Sequence, residues 1–256
     1  SDVCSSDLNG EKVDEQAVRL ITMALHNMIA NIDEIKNLTD KGMTTIIEGL
    51  ILAGITIFTT GQTRAVASIE HNQGHIWESR MIEAGKPYAL HGISVGCSTG
   101  YYLRMYDYFK ALNLNTLDRE TARNNILDYA GIRASALKCF GEEFLVEVEA
   151  QNPIFRISEK EFNRQYDAIL DSWDTILKVL DFLPDWNRYR DIYSSLGYTI
   201  FAEEIGIPAN LLEYTLRYSN YYRDRYSIVD ATNILGITKS ISEKTLEDYN
   251  KIKIQK

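Results

Sequence analysis

Apolar residues recur along this chain at steps of three and four positions, the spacing that places them on one face of an α-helix. The pattern is clearest at 13–28, 46–58, 162–180 and 211–222. The four prolines fall between candidate helices, at Pro87, Pro153, Pro184 and Pro208. The β-rich stretch 144–148 is ambiguous alone, but the glutamates in and beside it favour helix. The sequence therefore predicts an all-α fold, a multi-helix bundle.

Three of the four histidines, His71, His75 and His91, fall close together in the sequence. The first two lie one turn apart on a helix predicted over about 66–84, so they share a face. A Gly-Lys-Pro turn ends that helix, and the extended segment 85–91 is long enough to return the chain to the level of His71. We therefore expect two imidazoles to meet across a helix-turn-helix.

The histidine trio is typical of part of a metal site. Imidazole and carboxylate both ligate catalytic zinc, iron or nickel, and a site with an open position usually takes three protein ligands. No spacing of Asp or Glu in the chain identifies the third ligand. For any single histidine the better interpretation is a polar residue of a packed helix pair, but for the trio we favour the metal.

Composition excludes some classes of partner. With 36 acidic and 27 basic residues among 256, the formal charge of -9 argues against nucleic acid and against an anionic membrane surface. The longest apolar stretch, 49–58, is shorter than the roughly 20 residues that span a bilayer, so we expect no membrane insertion. Cys97 and Cys139 lack CxxC spacing, which indicates buried thiols and a cytoplasmic protein.

The first eight residues do not fit the pattern that follows. The run 1–8 has no initiating Met and no apolar signal region, and it resembles translated adaptor sequence. We exclude it and assign 9–256 to one helical metal-binding domain. The sequence also contains no Gly-rich dinucleotide turn and no phosphate loop. A helical domain with half a metal site and no cofactor domain is expected to be the second half of a longer enzyme.

Two groups of motifs resemble the helical domain of bacterial and archaeal glycerol-1-phosphate dehydrogenases. The first group comprises 48–55, Arg64, Glu70-His71, His75-Ile-Trp-Glu78 and Leu90-His91-Gly92. The second comprises 205–208, 222–228 and 233–236, of which the Arg-Asp-Arg-Tyr block at 223–226 is the more particular. The resemblance covers about 10–240. The histidine blocks are shared with a wider superfamily that includes iron-containing alcohol dehydrogenases and dehydroquinate synthase.

This resemblance implies a fold and a ligand set. Members of the superfamily have an N-terminal NAD-binding α/β domain, which is missing here, and a C-terminal helical domain, with the metal in the cleft between them. Carried over, His71 and His91 are metal ligands, and an acidic ligand falls before this chain begins. His75 then has a catalytic role beside the metal, orienting a ligand or the substrate.

The function implied is the interconversion of dihydroxyacetone phosphate and sn-glycerol 1-phosphate with NAD(P)H and a divalent metal (zinc, nickel or iron). This fragment alone is expected to be inactive. Arg64 and Arg225 are candidate partners of the substrate phosphate, because guanidinium matches phosphate in a two-pronged contact. Arg223 is more readily interpreted as a surface ion pair, and Trp77 and Tyr226 as core aromatics. The expected partner is a small-molecule polyol phosphate, and the chain is compatible with a homo-oligomer.

Two alternatives remain open. The block at 71–75, with Gly before the second His, also resembles dehydroquinate synthase, a carbon-oxygen lyase that uses NAD without net redox. A non-enzymatic helical binding module with structural histidines is the other. The Arg-Asp-Arg-Tyr block favours the dehydrogenase.

Overall fold

The computed structural model describes residues 14–63, 66–152, 156–223 and 225–254, and within these ranges the chain is all-α with no strand. The α-helices are α1 (Glu15–Ala30), α2 (Ile32–Lys36), α3 (Asp40–Thr60), α4 (Ile69–Glu83), α5 (His91–Lys110), α6 (Arg119–Leu127), α7 (Tyr129–Phe140), α8 (Glu142–Gln151), α9 (Glu159–Asp171), α10 (Trp173–Leu180), α11 (Trp186–Ser195), α12 (Ala209–Tyr218), α13 (Ile228–Ile234) and α14 (Thr238–Ile254). Short 3-10 turns form at Leu114–Thr116, Ala202–Ile205 and Ser219–Tyr222. The predicted fold class is confirmed.

Helix α5 runs through the centre of the main bundle. It packs against α4, α10, α11, α14 and the turn Ala202–Ile205. Its side chains Tyr101, Met105 and Phe109 are almost completely buried in the largest apolar cluster. Because α5 begins at His91, burial of this helix fixes the position of that histidine.

Two of the predicted apolar runs are broken in the structure. The run 162–180 divides at Ser172 into α9 and α10, and the run 211–222 changes from α-helix to 3-10 helix after Tyr218. The side chain of Ser172 accepts no capping hydrogen bond from the start of α10. The backbone N–H of Ser172 donates to the carbonyl of Ala168, and this hydrogen bond ends α9. The ambiguous stretch 144–148 is helical and lies within α8.

Helices α1 and α2 pack mainly on α3, and much of α3 faces outward. Leu50 is 67% exposed and Phe58 is 88% exposed. The helix that contains the apolar stretch 49–58 is longer than that stretch, and the absence of membrane insertion stays a prediction. Helix α3 has 21 residues, and a stretch of 18 residues within it has a mean hydropathy of 1.6 and is 17% buried. Among the described residues it is the one helix that could cross a membrane by length and composition alone, a test that core helices of soluble proteins also pass. The hydroxyls of Thr45 and Thr56 donate to carbonyls of their own helix, which lets the apolar segment extend through them.

Candidate metal centre

Helix α4 places His71 and His75 on one face. The helix begins at Ile69, three positions later than the sequence pattern indicated, and the side chain of Glu70 accepts a 3.0 Å hydrogen bond from the backbone N–H of Ser68. This contact satisfies one of the free N–H groups at the start of the helix. The histidines therefore occupy the first two turns of α4, where the backbone is well anchored.

The turn after α4 returns the chain to the same end of the bundle. Helix α4 ends at Glu83, and Gly85 follows with a φ of 63°, the left-handed conformation that glycine adopts without strain. Helix α5 then begins directly at His91. The predicted helix-turn-helix is therefore present, and it carries the third histidine back to the first.

The three imidazoles form a compact cluster. The ring centre of His71 lies 4.7 Å from that of His75 and 4.5 Å from that of His91, and the rings of His75 and His91 stack at 4.6 Å. One nitrogen from each ring can be chosen so that all three lie within 4.8 Å of one another. The structure thus brings together two predicted metal ligands and the predicted catalytic histidine.

Glu78 lies behind two of these rings. Its Oε1 is 2.8 Å from Nδ1 of His91, and its Oε2 is 3.5 Å from Nδ1 of His75. The sequence analysis named Glu78 only as part of a motif and gave it no role. A signal was present, because Glu78 follows His75 by three positions and so lies on the same face of α4.

The surroundings of His71 and His75 favour neutral imidazoles at these two positions. Burial is the largest influence lowering the pKa of His71, to about 4, and the neighbouring His75, His91, Arg223 and Arg225 lower it further. Burial and His91 also lower the pKa of His75, against the opposing effect of Glu78. A neutral imidazole has the free lone pair that a metal ligand needs.

The donor set fits a divalent transition metal. Three imidazoles at this spacing, with a carboxylate hydrogen-bonded to the far side of one ring, match the nitrogen chemistry of zinc, nickel and iron sites. A carboxylate behind a histidine ligand is the usual partner that orients such a ring. The cluster is therefore able to bind a metal through residues of α4 and α5.

A buried hydrogen-bond network fixes α4 against the bundle. Nε2 of Gln73 and Nε1 of Trp77 both donate to Oγ1 of Thr215 on α12, at 3.0 and 2.9 Å. Oγ of Ser98 on α5 donates to Oε1 of Gln73 at 2.6 Å. The expectation that Trp77 is a core aromatic is confirmed by its complete burial. Because these residues alternate with His71 and His75 along α4, the network sets the rotation of the histidine face.

Of the two predicted phosphate partners, the structure describes only Arg225. Arg225 donates from Nη1 to the carbonyl of Ala67 at 3.2 Å and from Nη2 to Oγ1 of Thr63 at 2.8 Å. It thus contacts both ends of the segment that leads into α4. Arg64 lies outside the described residues. Arg225 also lines a cavity of about 390 Å³, which is lined by none of the three clustered histidines.

Two neighbours of the cluster come from the segment after α12. The ring of Tyr222 lies 6.0 Å from that of His75, and the guanidinium of Arg223 lies 5.1 Å from the ring centre of Tyr222. Tyr226 is half-buried: it packs against the main apolar cluster and also lines the cavity of about 390 Å³, so the expectation of a core aromatic is met only in part. Tyr222 and Arg223 therefore border the histidine cluster, although they are far from it in sequence.

Comparison with curated proteins finds similarity to glycerol-1-phosphate dehydrogenases (NAD(P)+). The chain is 22% identical over 218 residues to the protein of Geobacillus stearothermophilus, which covers 85% of this chain and 45% of that protein. It is 23% identical over 237 residues to the protein of Bacillus licheniformis, covering 93% and 46%. It is 27% identical over 217 residues to the protein of Geobacillus thermodenitrificans, covering 84% and 44%.

These matches confirm the resemblance drawn from the motifs: the chain is a glycerol-1-phosphate dehydrogenase-like helical domain. The chain spans less than half the length of these relatives. No protein-family model matches the chain. No solved structure matches it either.

Proposed function

We propose that this chain is the metal-binding helical part of an NAD(P)-dependent oxidoreductase that interconverts dihydroxyacetone phosphate and sn-glycerol 1-phosphate. The observation that carries the proposal is the cluster of His71, His75 and His91 at the facing ends of α4 and α5. It occurs in a chain similar over most of its length to proteins named for this reaction. The proposed enzyme is cytoplasmic, and its product serves phospholipid biosynthesis.

In this proposal His71 and His91 hold the metal, and an acidic ligand comes from the part of the relatives that this chain does not span. The metal would be zinc, nickel or iron. When bound, it would supply Lewis-acid stabilisation of the substrate oxygen during hydride transfer to or from the nicotinamide. The roles of the chain's own residues are to bind, to orient and to exclude water.

His75 would contact the substrate in this arrangement. Its ring stacks on that of His91 at 4.6 Å and lies 4.7 Å from that of His71, so it borders any ion held between those two. An imidazole at this position can accept a hydrogen bond from the substrate hydroxyl. Tyr222, 6.0 Å from His75, forms part of the wall beside it.

Arg225 and Arg64 would bind the substrate phosphate. The guanidinium of Arg225 is close enough to His71 to lower the pKa of that imidazole, so the charge of Arg225 acts at the histidine cluster. A guanidinium can direct two parallel N–H groups at a phosphate. Positive charge is also what a dianionic polyol phosphate requires beside the metal.

The test is an assay of a longer protein that joins this domain to a dinucleotide-binding domain. With sn-glycerol 1-phosphate and NAD+ or NADP+, we expect net formation of the reduced nicotinamide, and loss of activity after chelation. A control with glycerol 3-phosphate of the opposite configuration should react much more slowly. Absence of net reduction with any polyol phosphate would reject the dehydrogenase.

A second candidate function is a carbon-oxygen lyase resembling dehydroquinate synthase. The observation that favours it is the block His71-Asn-Gln-Gly-His75, in which Gly74 precedes the second histidine. Such an enzyme would use NAD and produce no net NADH, so the same assay separates the two. Metal analysis of the purified chain separates both enzymes from a helical binding module whose histidines are structural.

A further inference from the structure

Glu78 is placed to act on two imidazoles at once. It lies on α4 with its side chain only 15% exposed, and each carboxylate oxygen faces a different histidine. Oε1 is 2.8 Å from Nδ1 of His91, across the turn between α4 and α5, and Oε2 is 3.5 Å from Nδ1 of His75 on the same helix. The two rings are stacked and nearly parallel, with an angle of 24° between their planes. The carboxylate of Glu78 therefore contacts the Nδ1 edges of both stacked imidazole rings.

The chemistry of the two groups fixes where the protons lie. An ionised carboxylate only accepts hydrogen bonds, so a ring nitrogen that contacts it must carry a hydrogen. A neutral imidazole has one N–H, and if Nδ1 carries it then Nε2 bears the lone pair. The contact of Glu78 with His91 therefore selects the tautomer in which Nε2 is the metal-binding nitrogen. The longer contact with His75 favours the same tautomer in the second ring.

The other charged groups near the cluster strengthen the case for this role. Among the described residues, the polar side-chain contacts of Glu78 are with the two histidines alone, whereas Glu83 on the same helix forms an ion pair with Arg80. A mostly buried carboxylate with no lysine or arginine in contact would be unfavourable unless it accepted hydrogen bonds from other groups. The two imidazole N–H groups supply those hydrogen bonds.

We propose that Glu78 is the positioning residue of this metal centre, holding His91 and His75 with Nδ1 protonated and Nε2 directed away from the carboxylate. His91 is thereby prepared to bind a divalent cation, and His75 to accept a hydrogen bond at Nε2. The identity of the substrate comes from the proposed function, but the tautomer and the metal affinity do not depend on it. Glu78 is not one of the three residues whose donor atoms cluster for a metal ion.

The first measurement is made on the metal-free chain. Long-range proton-nitrogen NMR spectra of histidine-labelled protein, recorded about two pH units above the ordinary histidine pKa, report which ring nitrogen carries hydrogen. We expect His91 to be predominantly Nδ1-protonated in the original chain. Glu78→Gln should give a mixture, because an amide can donate as well as accept. Glu83→Gln is the matched control on the same helix and should leave the His91 signals unchanged.

The second measurement is titration of the same proteins with Co²⁺ alone, followed by visible absorption. Glu78→Gln should weaken Co²⁺ binding by about 10- to 100-fold, the range typical of residues behind a ligand, and Glu83→Gln should not. Glu78→Asp keeps the acceptor and should recover part of the affinity. Circular dichroism checks that each variant is folded. If Glu78→Gln does not fold, Glu78→Asp serves as the test variant.

The outcomes distinguish this inference from the proposed function. If Glu78→Gln and Glu83→Gln give the same His91 tautomer and the same Co²⁺ affinity, the positioning role is rejected. If the original chain binds no Co²⁺, the titration is repeated on the longer protein, which supplies the acidic ligand, and the tautomer spectra still decide the role of Glu78. If that protein binds no Co²⁺ either, the metal site of the proposed function fails. If Co²⁺ binds and polyol phosphate is not oxidised by the longer protein, only the substrate assignment is lost.

Discussion

Gly74 and Val95 hold α4 and α5 in close contact beside the histidines. A Cβ atom added at Gly74 would lie 2.9 Å from Cγ2 of Val95, a separation that packed side chains do not reach. Gly74 stands directly before His75, and Val95 is one turn after His91. The closeness of the two helices at this point is therefore what allows the rings to meet.

Gly74→Ala should separate the helices and weaken the site. Valine is stiff about χ1 in a helix, so it cannot move aside easily, and we expect a net destabilisation of about 1–3 kcal/mol together with reduced Co²⁺ affinity. The matched control is Gly54→Ala, because a Cβ there meets nothing within 4 Å. That change should stabilise α3 by about 0.5–1 kcal/mol through helix propensity. Equal effects of the two substitutions on urea unfolding would contradict the close-packing argument.

Thr215→Val should destabilise the bundle through two lost acceptor contacts. The substitution keeps the shape of the side chain but leaves Nε2 of Gln73 and Nε1 of Trp77 without their acceptor in a buried region. We expect a loss of about 2–4 kcal/mol in the free energy of unfolding, since each unsatisfied buried donor costs about 1–3 kcal/mol. The control is Thr44→Val, at an exposed position where the hydroxyl donates a hydrogen bond to a carbonyl of its own helix. This substitution should change the free energy of unfolding little. A similar change in the free energy of unfolding of both variants would show that the buried hydrogen bonds to Thr215 do not stabilise the bundle.

His71→Ala and His75→Ala should differ in metal binding by the longer, active protein. His71→Ala should remove the metal, and His91→Ala likewise. His75→Ala should retain it and lose about 10- to 100-fold in activity, as expected for a residue beside the ligands. Elemental analysis of the purified variants measures this directly. Metal loss in His75→Ala equal to that in His71→Ala would make the i, i+4 pair the true ligands.

The stability of the metal-free chain should depend on pH through His71. Burial is the largest influence that lowers the pKa of this imidazole from 6.5 to about 4 in the folded chain. The unfolded chain therefore takes up a proton first, and the free energy of unfolding should fall as the pH is lowered from 6.5 towards 4. His71→Gln removes this contribution. The difference in the free energy of unfolding between the two proteins should therefore depend on pH between 4 and 6.5 and be constant above pH 6.5. Parallel urea-unfolding curves at every pH would refute the assignment.

Arg225→Lys should raise the KM for the polyol phosphate in the longer protein more than it changes metal content. An ammonium group cannot reproduce a two-pronged contact with phosphate. The observed bonds of Arg225 to Ala67 and Thr63 give a second readout. If the residue serves only to hold the segment before α4, the melting temperature should fall while KM stays unchanged.

The sequence alone determined the helical class, the turn after α4 and the nearness of His71 to His91. These features depend on local periodicity, on a Gly-Lys-Pro turn and on the reach of an extended segment, all of which can be read along the chain. The family resemblance also came from short motifs, and comparison with curated proteins confirmed it. The true start of α4 and the break at Ser172 depended on local hydrogen bonding that the apolar pattern does not encode.

Only the tertiary structure decided the remaining features of the site. It showed that His75 clusters with the other two rings and that Glu78 contacts the rings of His75 and His91. It also showed that the buried hydrogen-bond partner of α4 is Thr215 on α12, which is distant in sequence. It also showed that α3 leaves its apolar face exposed. The physical reason is that periodicity tells which face of a helix is apolar. Which residues from distant helices meet that face, and how each helix is rotated, is set by packing and by the pairing of buried polar groups.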